Sequence, residues 1–294
     1  MINIEEKSYL DLLNKIITTG ASREDRTGIG TKSIFGTQLR FSLENNRIPM
    51  LTTKKMFHRG VIEELLFFIR GETNTKILEA KGVNIWKGNT SREFLDKRGL
   101  KYLPEGDMGK GYGFQWRKFG QHENDYGDFW CGQGGVDQLS NALNLIKTDP
   151  NSRKIIISAW NPQQLNEMAL EPCHCFIQFQ VNNGKLNCQW YQRSVDSFLG
   201  LPFNILSYAI LTHIMAKAAD LKAGELIFVG GDTHIYNNHL DQVKEQISRE
   251  PFEFPQFFIN KEISSIEDIE KLSFDNFLIK DYYSYPAIKA DMAI

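Results

Sequence analysis

Cys173 stands between Pro172 and His174 and opens an alternating stretch that runs to Val181. A thiol with an ordinary pKa of about 8.5 is only a few per cent ionised near neutrality, so a cysteine becomes a nucleophile where a neighbour stabilises the thiolate. Asn182-Asn183-Gly184-Lys185 carries the Asn-Gly signal of a tight reversal, which returns Leu186 to Ser194 antiparallel to the first strand. That hairpin brings Arg193 back to Cys173, where a guanidinium would favour the ionised sulfur. The competing reading is a buried, inert cysteine. His174 would be the base of a hydrolase, but successive strand side chains point to opposite faces, which denies it direct contact with the Cys173 sulfur. Alternation also divides Cys173, His174 and Cys175 as a zinc site, and no second cysteine pair follows at metal-ligand spacing, so no metal is expected.

Arg26, Arg153 and Arg193 with Ser194 form a second constellation. Arginine presents a planar fork suited to phosphate oxygens and serine adds a neutral donor, so the four could converge on one monoester; separate salt bridges are the plainer reading. Arg26 lies in the glycine-containing loop Asp25 to Thr31, as a solvated charge or an anion clamp. Glu63 and Glu64 sit on the apolar helix Val61 to Arg70 and point about 100° apart, so at least one approaches the interior. Either both find solvent or a salt bridge, or Glu64 enters a cavity. The glycines of Gly109 to Arg117 match neither a P-loop nor a dinucleotide fingerprint.

These groups need a scaffold, and the pattern supplies one. Helical spacing marks Glu5 to Ile17, Gln138 to Ile146, Asn204 to Ala219 and the stripe Leu240, Val243, Ile247, with a local helix at Ser91 to Lys97. Strands are expected at Ser33 to Leu43, Lys154 to Trp160, Cys173 to Val181 and Leu186 to Ser194, and Gly230 to His234 reads as a turn. Cys173, Cys175, Ile177, Phe179 and Val181 fall on one face of their strand, and His174, Phe176, Gln178 and Gln180 on the other. Large or amide side chains on that second face call for a sheet covered on both sides, by helices on one and by a subunit partner on the other. One α/β (α+β) domain over residues 1–294 is the expected architecture.

Composition narrows the class. With 294 residues, 41% hydrophobic and 24% charged, the chain can bury a sizeable core. A net charge of -2 argues against general nucleic-acid coating and against a polybasic membrane anchor, though a local basic cavity is compatible with it. No apolar run is long enough to span a bilayer, Met1 to Lys7 has no signal-peptide core, and four cysteines fit a reduced interior, so a cytoplasmic location is expected.

Pro172-Cys173-His174, followed by Tyr191-Gln192-Arg193-Ser194 and Leu201-Pro202-Phe203-Asn204, resembles the thymidylate synthase family. The likeness extends from Asp25-Arg26-Thr27-Gly28 through Glu63-Glu64-Leu65-Leu66 and Gly231-Asp232-Thr233-His234-Ile235-Tyr236 to Ala293-Ile294, and it is the joint order of these strings that is specific. The resemblance implies that Cys173 attacks carbon 6 of deoxyuridylate (dUMP) and that 5,10-methylenetetrahydrofolate supplies both carbon and hydride, giving thymidylate and dihydrofolate without a nicotinamide. It implies a homodimer with shared active sites, in which Arg26, Arg193 and Ser194 hold the phosphate together with Arg153 and Lys154 of the second subunit. Glu64 would organise proton transfer, Asn204 would read the uracil edge, His234 and Tyr236 would bind the sugar hydroxyl, and Tyr112 and His174 would support the site. Ile85, Trp86, Asp196, Leu199, Gly200 and Phe203 resemble the folate pocket, Lys54 is expected at the folate's glutamate end, and the segment through Ala293 and Ile294 would close over the ligands.

Some positions depart from the family pattern. Arg153-Lys154 stands where two arginines are usual, which predicts a less oriented phosphate contact. Lys87 replaces a usual aspartate, Phe67 a common tryptophan, and Gln121 to Gly134 resembles a longer, eukaryotic-type insertion. The nearest rival activity is a deoxyuridylate hydroxymethylase, which ends in water addition. The family resemblance extends to RNA binding as a secondary role, but no basic-aromatic stripe independently supports it.

Overall fold

A computed structural model describes residues 3–24, 28–121 and 135–291. Arg26, the stretch 122–134, Ala293 and Ile294 therefore lie outside the described residues. Helices are α1 (Ile4–Thr19), α2 (His58–Ile69), α3 (Lys76–Glu79), α4 (Arg92–Lys97), α5 (Gly113–Lys118), α6 (Gln138–Thr148), α7 (Gly200–Ala218), α8 (Leu240–Ile247) and α9 (Ile266–Glu270). Strands are β1 (Ala21–Arg23), β2 (Thr31–Ser42), β3 (Ile156–Ser158), β4 (His174–Asn182), β5 (Lys185–Asp196), β6 (Lys222–Tyr236), β7 (Gln256–Ile259) and β8 (Phe277–Lys280).

Six strands form one mixed sheet in the order β1-β2-β6-β5-β4-β3, and β7 pairs with β8 separately. Within the large sheet β5 and β6 run parallel, because α7 carries the chain back between them; the other neighbours are antiparallel. The α/β class with a large mixed sheet flanked by helices is as the sequence indicates. α7 is apolar on nearly every side and buried along its length, packed on β5, β6 and α2. It begins at Gly200, a turn before the expected Asn204. Asp196 Oδ1 accepts the N–H groups of Phe198 and Leu199, both at 3.1 Å, which shapes the entry, and Pro202 falls in the first turn, where its missing N–H costs nothing.

Two local expectations are corrected. Gly230 to His234 is not a turn but part of β6. Its glycines serve close approach: a Cβ on Gly231 would lie 2.7 Å from the Tyr191 hydroxyl and 2.8 Å from the Arg193 carbonyl on β5. The hairpin turns at Asn183 and Gly184, both at positive φ, as expected. Its register, however, slips between His174 and Phe176. Phe176 pairs with Tyr191, but His174 pairs with the inward-facing Gln192, so this bulge turns His174 to the helix-covered side and separates it from Phe176, Gln178 and Gln180.

The covered face of the hairpin buries Ile177, Phe179, Leu186, Cys188 and Trp190. The opposite face carries Gln178, Gln180 and Gln189 with Phe176 and Tyr191, and Phe35 on β2 stands 83% exposed. No helix of the described residues is long and apolar enough to cross a membrane.

Candidate active site

The backbone of Cys173 is pinned at both ends. Its N–H donates to the Tyr112 hydroxyl at 2.9 Å, and its carbonyl accepts from Arg193 N–H at 2.8 Å. The Arg193 guanidinium wraps the residues before the cysteine, with Nε donating to the Pro172 carbonyl and Nη2 to the Glu171 carbonyl, both at 3.0 Å, and it lies 5.2 Å from the centre of the Trp160 ring. The hairpin therefore joins Cys173 and Arg193 as the Asn-Gly turn required.

Tyr112 reaches the site at a backbone cost. It adopts φ 28° and ψ -93°, a strained region worth about 1–3 kcal/mol. Its ring stacks on Phe68 at 5.0 Å, meets His174 at 4.4 Å and contacts Trp86 at 5.7 Å. Such ring pairs contribute roughly 0.5–1.5 kcal/mol each, enough together to offset the strain. Burial pushes the Tyr112 phenol well above its ordinary value, so it stays protonated.

Trp86, which meets the Tyr112 ring, in turn holds Glu64. The indole of Trp86 donates to Glu64 Oε1 at 2.7 Å, and burial, only partly opposed by that bond, pushes the carboxyl up to about 7. A carboxyl there exchanges protons readily near neutrality. The neighbouring Glu63 takes the plainer course, buried in a 2.6 Å pair with Lys81. His174 Nδ1 lies 2.6 Å from the Tyr208 hydroxyl, and burial lowers its pKa to about 3, so the ring is neutral at working pH.

Asn204, on the first turns of α7, donates through Nδ2 to Gln192 Oε1 at 2.9 Å. Gln192 is buried, accepts also from the Trp190 indole at 3.4 Å and donates to the Ser194 carbonyl at 3.0 Å. Its role was missed in the sequence, although an amide on the inward face after Cys188 and Trp190 is a signal for it. Across the parallel pair, Ser194 faces Asp232 and Asp196 faces His234. His234 Nδ1 donates to Asp232 Oδ1 at 3.0 Å, Arg23 holds the other carboxylate oxygen at 2.7 Å, and the Tyr236 ring meets His234 at 5.2 Å.

Leu199, Gly200 and Phe203 line the start of α7 and are partly buried, as are Ile85 and Trp86. Lys54 is buried; Nζ donates to the Phe198 carbonyl and sits 3.8 Å from the centre of that ring. Burial lowers its pKa to about 7 against the opposing pull of Asp196. Arg153 and Lys154 are exposed and stand apart from this cluster, Arg153 lining a hollow on the open sheet face with Gln178 and Gln189. No group of three or more His, Cys, Asp or Glu able to hold a metal occurs among the described residues.

The sequence profile of the family described as thymidylate synthase matches residues 7–294. The chain belongs to the thymidylate synthase family. It is 49% identical over 293 residues to the thymidylate synthase of Ascaris suum, covering 100% of this chain and 98% of that one. The thymidylate synthase of Candida albicans is 48% identical over 311 residues, covering 99% and 98%. The bifunctional dihydrofolate reductase-thymidylate synthase of Leishmania major is 50% identical over 294 residues, covering 99% of this chain. This chain spans 56% of that relative's length. The thiol of Cys173, the guanidinium of Arg193 and the protonatable buried carboxyl of Glu64 are gathered around Tyr112.

Proposed function

We propose that this chain, as one catalytic domain, methylates deoxyuridylate to thymidylate, with 5,10-methylenetetrahydrofolate as carbon and hydride donor and dihydrofolate as second product. The observation that carries the reading is the fixed Cys173, held between Tyr112 and Arg193 beside the Trp86–Glu64 pair. The thiolate forms a bond to carbon 6 of the uracil and its electrons pass to carbon 5 and the carbonyl at carbon 4. Glu64, with its carboxyl raised to about 7, supplies and withdraws protons at that carbonyl side through water. Carbon 5 then bonds to the one-carbon unit of the folate and gives up its own proton through water, the bond from that unit to the folate nitrogen breaks, and hydride from the folate completes the methyl as the cysteine leaves and the ring double bond returns.

Asn204 gives one amide hydrogen to Gln192, which leaves its second hydrogen and Oδ1 to meet an acceptor and a donor side by side. Uracil presents that pair at O4 and N3–H, whereas cytosine presents the reverse. Arg193 and Ser194, joined by Arg26, would hold the phosphate, and His234 and Tyr236 the sugar. Ile85, Trp86, Asp196, Leu199, Gly200, Phe203 and Lys54 would form the folate pocket, which the segment through Ala293 closes. The active unit is a cytoplasmic homodimer formed through the open sheet face, which lets Arg153 and Lys154 complete the partner's phosphate site. No nucleic acid is needed for turnover.

Incubation with 5-fluorodeoxyuridylate and methylenetetrahydrofolate should trap a ternary adduct that peptide mass measurement maps to Cys173. With dUMP, thymidylate and dihydrofolate should form one for one. A hydroxymethyl product with tetrahydrofolate regenerated, or an adduct on another residue, would overturn the proposal.

A further inference from the structure

The segment from Met168 to Pro172 delivers Cys173 to the site without belonging to a helix or to the main sheet. Arg193 grips it from the sheet side through the carbonyls of Glu171 and Pro172. A second arginine grips it from the other side. Arg98, at the end of α4, donates through Nη2 to Glu171 Oε1 at 2.6 Å and toward the Met168 carbonyl at 3.4 Å. Glu171 is thus held twice, by its side chain to Arg98 and by its main chain to Arg193. Partial burial pushes its carboxyl up, but its own N–H and the two arginines outweigh that and draw it below the usual range, so the clamp is ionised at neutral pH.

The surroundings give the clamp something to resist. A hollow of about 510 Å³ lies between α4 and this segment, lined by Phe94, Lys97, Arg98, Leu170 and Glu171 among others. The segment is tied at its start by the isolated Gly109–Met168 bridge, but residues 170–172 have free space on one flank and can sag into it, carrying the cysteine with them. The side chains of Arg98 and Glu171 are 34% and 32% exposed, and a pair so placed adds little to the stability of the whole fold. Its effect is local, and local placement is what a nucleophile needs, since small displacements of reacting atoms cost large factors in rate.

We propose that Arg98 is a positioning residue for the nucleophile: by gripping Glu171 it fixes the carbonyl that receives Arg193 and so sets the reach of Cys173 to the nucleotide ring. The inference rests on the reading of Cys173 as the attacking thiol.

The test compares wild type with Arg98→Ala, Arg98→Lys, Glu171→Gln and the double variant Arg98→Ala/Glu171→Ala. Read-outs are the rate of covalent adduct formation with 5-fluorodeoxyuridylate and methylenetetrahydrofolate, kcat, dUMP affinity and Tm. Arg98→Ala and Glu171→Gln should each slow adduct formation and kcat by about 3- to 10-fold, with dUMP affinity changed by less than about twofold. Arg98→Lys should recover part of the loss, and the double variant should be no slower than the worse single one. Adduct rates equal to wild type, additive losses, or a fall in Tm with unchanged kcat would each overturn the clamp. If wild type itself forms no adduct at Cys173, the proposed function fails and the clamp with it; if wild type reacts and Arg98→Ala reacts equally fast, the clamp alone fails.

Discussion

The two faces of the β4–β5 hairpin are made by alternate residues of the same strands and do opposite things. Toward the helices, polar groups are buried and each has a partner: His174 on Tyr208, Gln192 on Asn204, Trp190 and Ser194. On the other side large apolar rings stand in the open, with Phe176 37% and Tyr191 36% exposed. The usual order, hydrocarbon inside and amides outside, is partly inverted. Burying polar groups is costly unless they are satisfied, and here satisfaction shapes a rigid wall for chemistry. Exposed rings leave apolar area uncovered on this face, which is where the proposed dimer would form.

The comparison can be broken most severely on the covered face. Cys173→Ala should lower turnover by at least about 10³-fold while dUMP affinity changes by less than about threefold. Wild-type turnover in that variant would move the chemistry elsewhere.

Glu64→Gln comes next, with an expected fall in kcat of about 10²-fold and a gain in stability. Its carboxyl titrates at about 7 in the folded chain against an ordinary 4.5, so the folded state binds the proton more tightly than the unfolded one. The destabilisation from ionising it is absent below about pH 4.5, grows between there and 7, and is constant above. Thermal melts at pH 5 and pH 8 should therefore show the Gln variant's advantage widening at the higher pH. An advantage that is equal at both pH values would mean that the carboxyl ionises freely.

On the open face, Phe176→Glu with Tyr191→Glu should yield a monomer by light scattering, with activity down roughly 10- to 50-fold because the partner's basic residues no longer reach the phosphate. A sharper form mixes Arg153→Ala chains with Cys173→Ala chains. Shared sites require part of the activity to return on mixing, and no recovery after subunit exchange would count against sharing. The smallest effect is expected from Lys154→Arg, which should tighten dUMP binding by about two- to fivefold, as a fork replaces a point charge. Unchanged affinity and rate would remove Lys154 from phosphate recognition.

Much of this was legible beforehand where the signal is local. The Asn183-Gly184 reversal and the inward run of Ile177 and Phe179 follow from turn chemistry and period-two alternation, and the turn alone implies that Arg193 returns to Cys173. The apolar helix around Glu64 was equally plain. Less legible were the Gly230-Gly231 pair, where glycine answers to the neighbouring strand and not to its own sequence context, and the bulge that turns His174 inward.

By itself the sequence determined which residues carry reactive groups, the main helices and the β4–β5 hairpin, and the family to which the chain belongs, because these depend on residue type and short-range spacing. Only the tertiary structure decided that Gln192 would orient Asn204, that Tyr112 would accept a strained backbone to meet Cys173, and that Arg98 would reach Glu171. Those contacts join residues distant in the chain or turn on a one-residue slip of register, and a side chain's partner across such a gap is set by how whole elements pack.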